Sequence, residues 1–254
     1  MRTYTALLLA GSRPGKDSFA ARYAAEMKAL IPIAGEPMLL RPLRALLASR
    51  HVETVRILTQ EPDKLAPALP DVPGWSLEPS GGTIAETLEA LCTADNARWP
   101  LLVTTADHAL LDAAMIDQFC AEAEGADLAI GVVTKSALEK RLPQSRRTWI
   151  ALRRGKYTGA NLFAFGSPRA LNAVELWRSV EQDRKKGWRL LLALGLPGLL
   201  GFLRLRTLDQ TLDAMGRRLG LTLRAVRVDD PLAAVDVDKP QDHALVTAIL
   251  ERRA

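Results

Sequence analysis

Residues 3–16 read TYTALLLAGSRPGK, an apolar run from Ala6 to Ala10 that breaks at once into a loop of Gly, Ser, Pro and Lys. A short apolar run that ends in turn residues is the pattern of a buried strand and its following loop, not of a helix. The pattern returns downstream. Pro100 to Thr104 (PLLVT) reads as a fully buried parallel strand, and Thr54 to Thr59 and Asp127 to Val133 read as two more. Helical spacing fills the intervals: Leu39, Leu40, Leu43, Leu46 and Leu47 behind a Pro37 placed in the first turn, then Ile84, Leu88 and Leu91, then Ala113 to Glu122. Alternation of this kind predicts an α/β domain with a mostly parallel sheet.

The second half departs from strict alternation. Thr148 to Leu152 and Thr158 to Phe165 flank Arg153-Arg154-Gly155-Lys156 and predict an antiparallel pair. Ser167 is placed as the cap of a helix reaching about Asp183. Thr207 to Leu219 reads as an amphipathic helix ending near Gly220, Leu221 to Val228 as a strand, and the last helix starts around Pro240. With no repeat or linker, the expectation is one Rossmann-like domain over residues 1–254, its mixed sheet flanked by helices, with an apolar helical hairpin inserted at about 186–206.

Composition narrows the partners. The chain has 254 residues, 34 Lys and Arg against 29 Asp and Glu, 48% hydrophobic and 5% aromatic residues. It can bury a sizeable core, and its scattered Arg without interleaved aromatics argues against nucleic acid. Cys92 and Cys120 lack metal-site or CxxC spacing and fit buried thiols of a reducing compartment. The first apolar run is too short for a signal peptide, so a cytoplasmic location is expected. Leu190 to Leu203 (LLLALGLPGLLGFL) is uncharged but falls short of the roughly 20 residues a bilayer crossing needs. Pro197 and three glycines interrupt it, so it reads as a buried helix-turn-helix, with peripheral contact to a membrane surface or a partner chain as the alternative.

Three constellations carry chemistry. The first is the loop after strand one, where the backbone of Leu9, Ala10, Gly11 and Ser12 can face an anion and Arg13, Lys16 and Lys28 supply cations suited to a triphosphate. It is not a Walker loop, being one residue short of GxxxxGK[ST], and it lacks GxGxxG. The second is Thr104-Thr105-Ala106-Asp107, which puts a carboxylate at the carboxyl end of a central strand, where open α/β sheets bind ligands and where Mg²⁺ on phosphate would find an oxygen ligand. The third is Ala234-Val235-Asp236-Val237-Asp238-Lys239-Pro240-Gln241-Asp242. Its alternation points Asp236 and Asp238 to one side of an extended segment, and Asp242 falls in the first turn of the final helix.

Two phrases, LLLAGSRPGK (residues 7–16) and KALIPIAGEPML (residues 28–39), resemble the opening of the nucleotidyltransferases with the glycosyltransferase-A-like fold, the group of molybdopterin guanylyltransferase and the sugar-phosphate and methylerythritol-phosphate cytidylyltransferases. The resemblance implies a Mg²⁺-dependent transferase that moves a nucleoside monophosphate from an NTP to a phosphorylated small acceptor and releases pyrophosphate. It implies Arg13, Lys16 and Lys28 as the working cations and Asp107 and Asp238 as metal ligands, with Asp236 a third ligand or a group beside them. Ser80-Gly81-Gly82-Thr83 stands where the family reads the base, with Ala106 beside Asp107 completing the nucleotide site. Tyr157-Thr158-Gly159-Ala160-Asn161-Leu162-Phe163 resembles the family's acceptor strand, so Gly159 and Asn161, with Arg146, Arg147 and Lys156, are the acceptor candidates. The acid pair Asp236 and Asp238 favours CTP; a GTP-dependent guanylyltransferase and a catalytically idle nucleotide-binding module are the alternatives. A homodimer is compatible with all of these.

Overall fold

A computed structural model describes residues 3–11, 17–81, 86–87, 98–143, 145, 147–171, 173, 200–201 and 203–253. The first strand, β1 (Tyr4–Leu9), is followed by a short helix α1 (Ser18–Arg22), whose first turn is capped by the Asp17 carboxylate accepting from the Phe19 and Ala20 amides. A small hairpin of β2 (Pro32–Ile33) and β3 (Glu36–Pro37) comes next, then helix α2 (Leu40–Ala48) and strand β4 (Val52–Thr59). Helix α3 (Pro62–Leu65) and strand β5 (Trp75–Pro79) lie within a proline-rich passage. The central strand β6 (Leu101–Thr105), helix α4 (Ala113–Ala123), strand β7 (Leu128–Thr134) and helix α5 (Lys135–Arg141) follow. The antiparallel pair β8 (Ile150–Leu152) and β9 (Gly155–Phe165) precedes helix α6 (Leu208–Leu219), strand β10 (Leu223–Arg227) and helix α7 (Pro240–Glu251).

The strands form one sheet in the order β10-β7-β9-β6-β1-β4-β5, with β8 added against β9. β1 runs parallel to β4 and β6, β4 to β5, and β10 to β7, while β9 runs against both of its neighbours. The expected mostly parallel mixed sheet flanked by helices is the observed one. Side-chain alternation along β1 explains its unbroken apolar sequence: Ala6 and Leu8 enter one core, while Leu7 joins Leu58, Val103 and Phe165 on the other face.

Several boundaries differ from the sequence reading. Pro37 is not in a helical first turn; it pairs with Pro32 across the β2–β3 hairpin, and α2 begins three residues later. The reason is the two-residue loop Ala34-Gly35, both residues at positive φ (48° and 83°), which closes a tight hairpin whose twist matches its strands. The Pro62 to Pro79 passage holds an edge strand, β5. The predicted cap Ser167 makes no side-chain cap bond but donates its hydroxyl to Asp127 Oδ1 at 2.7 Å; the 3₁₀ turn Pro168–Ala170 follows it, and Leu171 and Ala173 beyond are helical. The rest of that predicted helix, the helix from Ile84 apart from Glu86 and Thr87, which are helical, and most of the apolar hairpin at 186–206 lie outside the described residues. Among the described residues no helix is long and apolar enough to cross a membrane.

Candidate active site

The carboxyl ends of the parallel strands carry the predicted residues to one edge. The Ala10 amide donates to the Leu58 carbonyl (2.9 Å), that of Ala106 to Leu9 (2.9 Å) and that of Ser80 to Thr59 (2.8 Å). The loops after β1, β4, β5 and β6 therefore start level with one another.

Lys28 is aimed into this edge by the segment resembling the family signature. Met27, Ala29, Ile31 and Ile33 are buried on either side of it. The Met38 amide donates to Ile31 (2.9 Å) and that of Leu39 to Ala29 (3.1 Å), so the hairpin folds back on the 3₁₀ turn Lys28–Leu30. Arg41 and Arg44 grip Glu36 at 2.6 and 2.5 Å from the first turns of α2 and hold the hairpin from outside. The apolar motif thus acts as a harness that leaves one direction for the Lys28 side chain.

At the end of that direction Lys28 Nζ stands 2.5 Å from Asp107 Oδ2 and 2.5 Å from Asp238 Oδ1. Asp107 is fixed by the Thr105 hydroxyl, which donates to its Oδ1 at 2.5 Å. Burial alone would lower the Lys28 pKa, yet the charge and hydrogen bonds of Asp107 and Asp238 outweigh it and hold the ammonium above its ordinary value.

Asp236 goes elsewhere. Its carboxylate pairs with Arg147 and accepts from Asn161 Nδ2 at 3.4 Å, and Arg147 also reaches Asp242 Oδ1 at 3.3 Å. Burial raises the Asp236 pKa first of all; Arg147 opposes this, and the charges of Asp238 and Asp107 add to it. Asp242, buried in the first turn of α7, accepts from the Asp238 amide at 3.3 Å and so braces the loop that carries Asp238. Asn161 sits in β9 at φ 48°, at an irregularity where the β7 register shifts between Ile130 and Val132. Asn is among the residues that tolerate this left-handed conformation best.

Of the remaining predicted site residues, Gly159 is exposed in β9, and a Cβ built on it meets nothing within 4 Å. Lys156 is exposed near the start of the same strand. Arg147, an acceptor candidate in the sequence, is engaged with Asp236 and Asp242. Ser12, Arg13, Lys16, Gly82, Thr83 and Arg146 lie outside the described residues.

Two features escaped the sequence reading. Gln60, directly after β4, packs so closely on Gly11 that a Cβ there would lie 2.8 Å from its Oε1, and it donates from Nε2 to the Gly81 carbonyl at 3.1 Å. It joins the two loops expected to hold the nucleotide, and its position at the carboxyl end of a parallel strand was the available signal. His243 stacks on Tyr23 at 4.2 Å between ring centroids, with its Nε2 2.8 Å from the Pro32 carbonyl, fastening α7 to the segments on either side of Lys28.

A resident metal is tested by the donor set itself. No group of three or more His, Cys, Asp or Glu side chains suited to a metal ion converges among the described residues. Asp107 and Asp238 nevertheless already share one cation, the Lys28 ammonium. Two hard carboxylates completed by water and phosphate oxygens are what Mg²⁺ takes, so the residues fit that ion.

Comparison with known proteins bears on the family and the fold. The profile of the MobA-like NTP transferase domain matches residues 6–194. A hypothetical transferase from Thermus thermophilus is 30% identical over 96% of this chain and 100% of that one, with a TM-score of 0.80. At the level of fold alone, the 4-diphosphocytidyl-2C-methyl-D-erythritol synthase of Anaerococcus prevotii superposes with a TM-score of 0.62 at 10% identity, covering 99% and 97% of the two chains. CMP:2-keto-3-deoxy-manno-octonic acid synthetase, solved in complex with CTP, does so at 0.59 and 12% identity, covering 98% and 100%. A comparison with curated proteins yields no match.

Proposed function

We propose that this chain, which belongs to the MobA-like NTP transferase domain family, moves a nucleoside monophosphate, CMP by preference, from an NTP to a phosphorylated small acceptor with release of pyrophosphate. The observation that carries the reading is Lys28 lodged between Asp107 and Asp238 at the carboxyl edge of the sheet.

In this reading the acceptor phosphate attacks the α-phosphorus in line and pyrophosphate leaves, so the protein's task is to bring two anions together and screen their charge. Lys28, with Arg13 and Lys16, holds the triphosphate. Asp107 and Asp238 would hold Mg²⁺, which when bound supplies charge neutralisation on the phosphate oxygens. Arg147 keeps Asp236 and Asp242 in place, and the open space before Gly159 receives the acceptor. No side-chain base is needed, because a phosphomonoester is already largely ionised near neutral pH.

The preference for CTP rests on the acid pair and on the small residues around the expected base site. Ala10, Gly11, Ser80 and Gly81 offer backbone polar groups, and Gln60 between them carries both a donor and an acceptor. Pyrophosphate release should be measured with CTP, GTP, ATP and UTP, each with Mg²⁺ and pooled phosphorylated sugars, polyols and hydroxy acids. At equal subsaturating concentration CTP should run about tenfold faster or more than the purine nucleotides. Faster turnover with GTP would move the assignment to guanylyl transfer, and no turnover with any NTP would remove the transferase reading.

A further inference from the structure

Away from the nucleotide edge, the segment that re-enters after the apolar stretch lies against the β8 strand. The Arg153 amide donates to the Arg206 carbonyl at 2.9 Å, and a Cβ placed on Gly201 would lie 3.3 Å from Leu152 Cδ2. Three large apolar side chains on these two segments stand in solvent, Ile150 at 60% exposure, Leu203 at 54% and Leu205 at 57%. Val72 is the remaining large apolar side chain so exposed among the described residues, and it belongs to the loop before β5.

Beside them is an open pocket of about 460 Å³ lined by Arg153, Leu205, Arg206, Gln210, Asp213 and Arg217. Three arginines and one acid line it, and Arg206 Nη1 is buried without a hydrogen-bond partner. Arg154 and Arg204, next in the chain to pocket residues, are exposed at positive φ (69° and 57°). Exposed leucines on a segment that lines an arginine-rich pocket make a surface that is costly in water alone and complementary to an apolar layer behind negatively charged headgroups. The preceding run from Leu190 to Leu203 brings no charge to it in sequence.

We propose that this face docks on an anionic lipid bilayer, with Leu203, Leu205 and Ile150 in the interface and lipid phosphates against Arg153, Arg206 and Arg217. Its charge complementarity selects a membrane over a neutral apolar partner. The proposal does not depend on the nucleotide reading, since neither the surface nor the readout below involves turnover.

The test is sedimentation of the full chain with vesicles of phosphatidylcholine alone and of phosphatidylcholine with about one-third phosphatidylglycerol. The parent chain should pellet with the anionic vesicles at least tenfold more than with the neutral ones, and 0.5 M NaCl should release most of it. Leu203→Ser with Leu205→Ser, and separately Arg153→Gln with Arg206→Gln and Arg217→Gln, should each reduce binding about tenfold or more at an unchanged melting temperature. Equal binding to both vesicle types, insensitivity to salt, or binding that survives either set of substitutions would overturn the proposal. So would self-association of the parent chain that the leucine substitutions abolish, which would give the face to a second copy. The salt and lipid dependence of the parent keep the test decisive if a variant fails to fold.

Discussion

The amide of Val237 donates to the carbonyl of Asp107 at 3.1 Å. The two acids that meet Lys28 are thereby joined through their backbones although about 130 residues separate them in the chain. The spacing of the carboxylates is set by main-chain pairing, and only their tips depend on the cation between them.

Replacing either acid should therefore spare the fold and remove activity. Asp107→Ala and Asp238→Ala are each expected to lower turnover by about a hundredfold or more, the usual scale for losing one group that stabilises transition-state charge. Asp107 is only 18% exposed against 62% for Asp238, so Asp107→Ala should also lower the melting temperature more. Turnover near the parent's in either variant would take that residue out of the site.

Lys28 should matter for triphosphate binding, whereas Arg169 is tied to the Gly220 carbonyl and Asp127 and should not. Calorimetry with a non-hydrolysable CTP analogue and Mg²⁺ should give at least a tenfold weaker affinity for Lys28→Met and an unchanged one for Arg169→Ala. The raised Lys28 pKa also has a sign for stability. Its contribution is complete below the unfolded value of 10.5 and is lost as pH rises through the higher folded value. Denaturant unfolding above pH 10 should show a decline that Lys28→Met lessens.

Arg147 holds two carboxylates in a mostly buried place, so deleting it leaves charge without a partner. Arg147→Met should cost about 3 kcal/mol in urea unfolding, the scale for breaking a buried pair from one side. Asp236→Asn added to it should recover part of that loss. A cost of Asp236→Asn that is the same in the parent and in Arg147→Met would show that the pair is not coupled.

Burial holds His108 neutral, pulling its pKa down to about 4 against the charge of Asp107. A depressed histidine gives stability that is full above its unfolded value near 6.5 and lost as pH falls towards 4, on the order of 3 kcal/mol. His108→Gln should flatten that part of the stability curve. An identical acid limb in parent and variant would assign it to other groups.

Gly216 tests packing against propensity. It lies within α6, where alanine gains about 1 kcal/mol as a helix former, yet a Cβ there would meet the Leu221 carbonyl at 2.4 Å. Gly216→Ala should lower the melting temperature by about 3 °C, because backbone must move to admit the methyl group. A raised melting temperature would mean that the α6–β10 connection yields easily.

Much of this was legible because it is local. The apolar strands, the 207–219 helix with its Thr207–Gln210 capping box and its left-handed Gly220 stop, and the acids at strand ends are all written in spacings of a few residues. The Ala34-Gly35 hairpin was missed because proline before a leucine periodicity is an equally good helix start. β5 was hidden because an edge strand tolerates Pro79 and needs only one ladder of hydrogen bonds. The ion pairs of Arg147 were not foreseen because its partners, Asp236 and Asp242, lie some 90 residues away, and a long-range pair leaves no local trace.

Phe163 of β9 pairs with Val103 on one side and Ile130 on the other. Among the described residues the β5-β4-β1-β6 and β7-β10 portions of the sheet have no other link through strand pairing. During synthesis on the ribosome, a nascent chain that has not yet delivered β9 carries one unfinished sheet fragment, β5-β4-β1-β6, with a bare edge at β6, and a β7 strand without a strand partner, since β10 follows β9 in the chain. Such edges are templates for pairing with another chain. The interval before residue 165 emerges is therefore when this protein most needs a chaperone, and a polypeptide truncated just short of β9 would aggregate rather than wait.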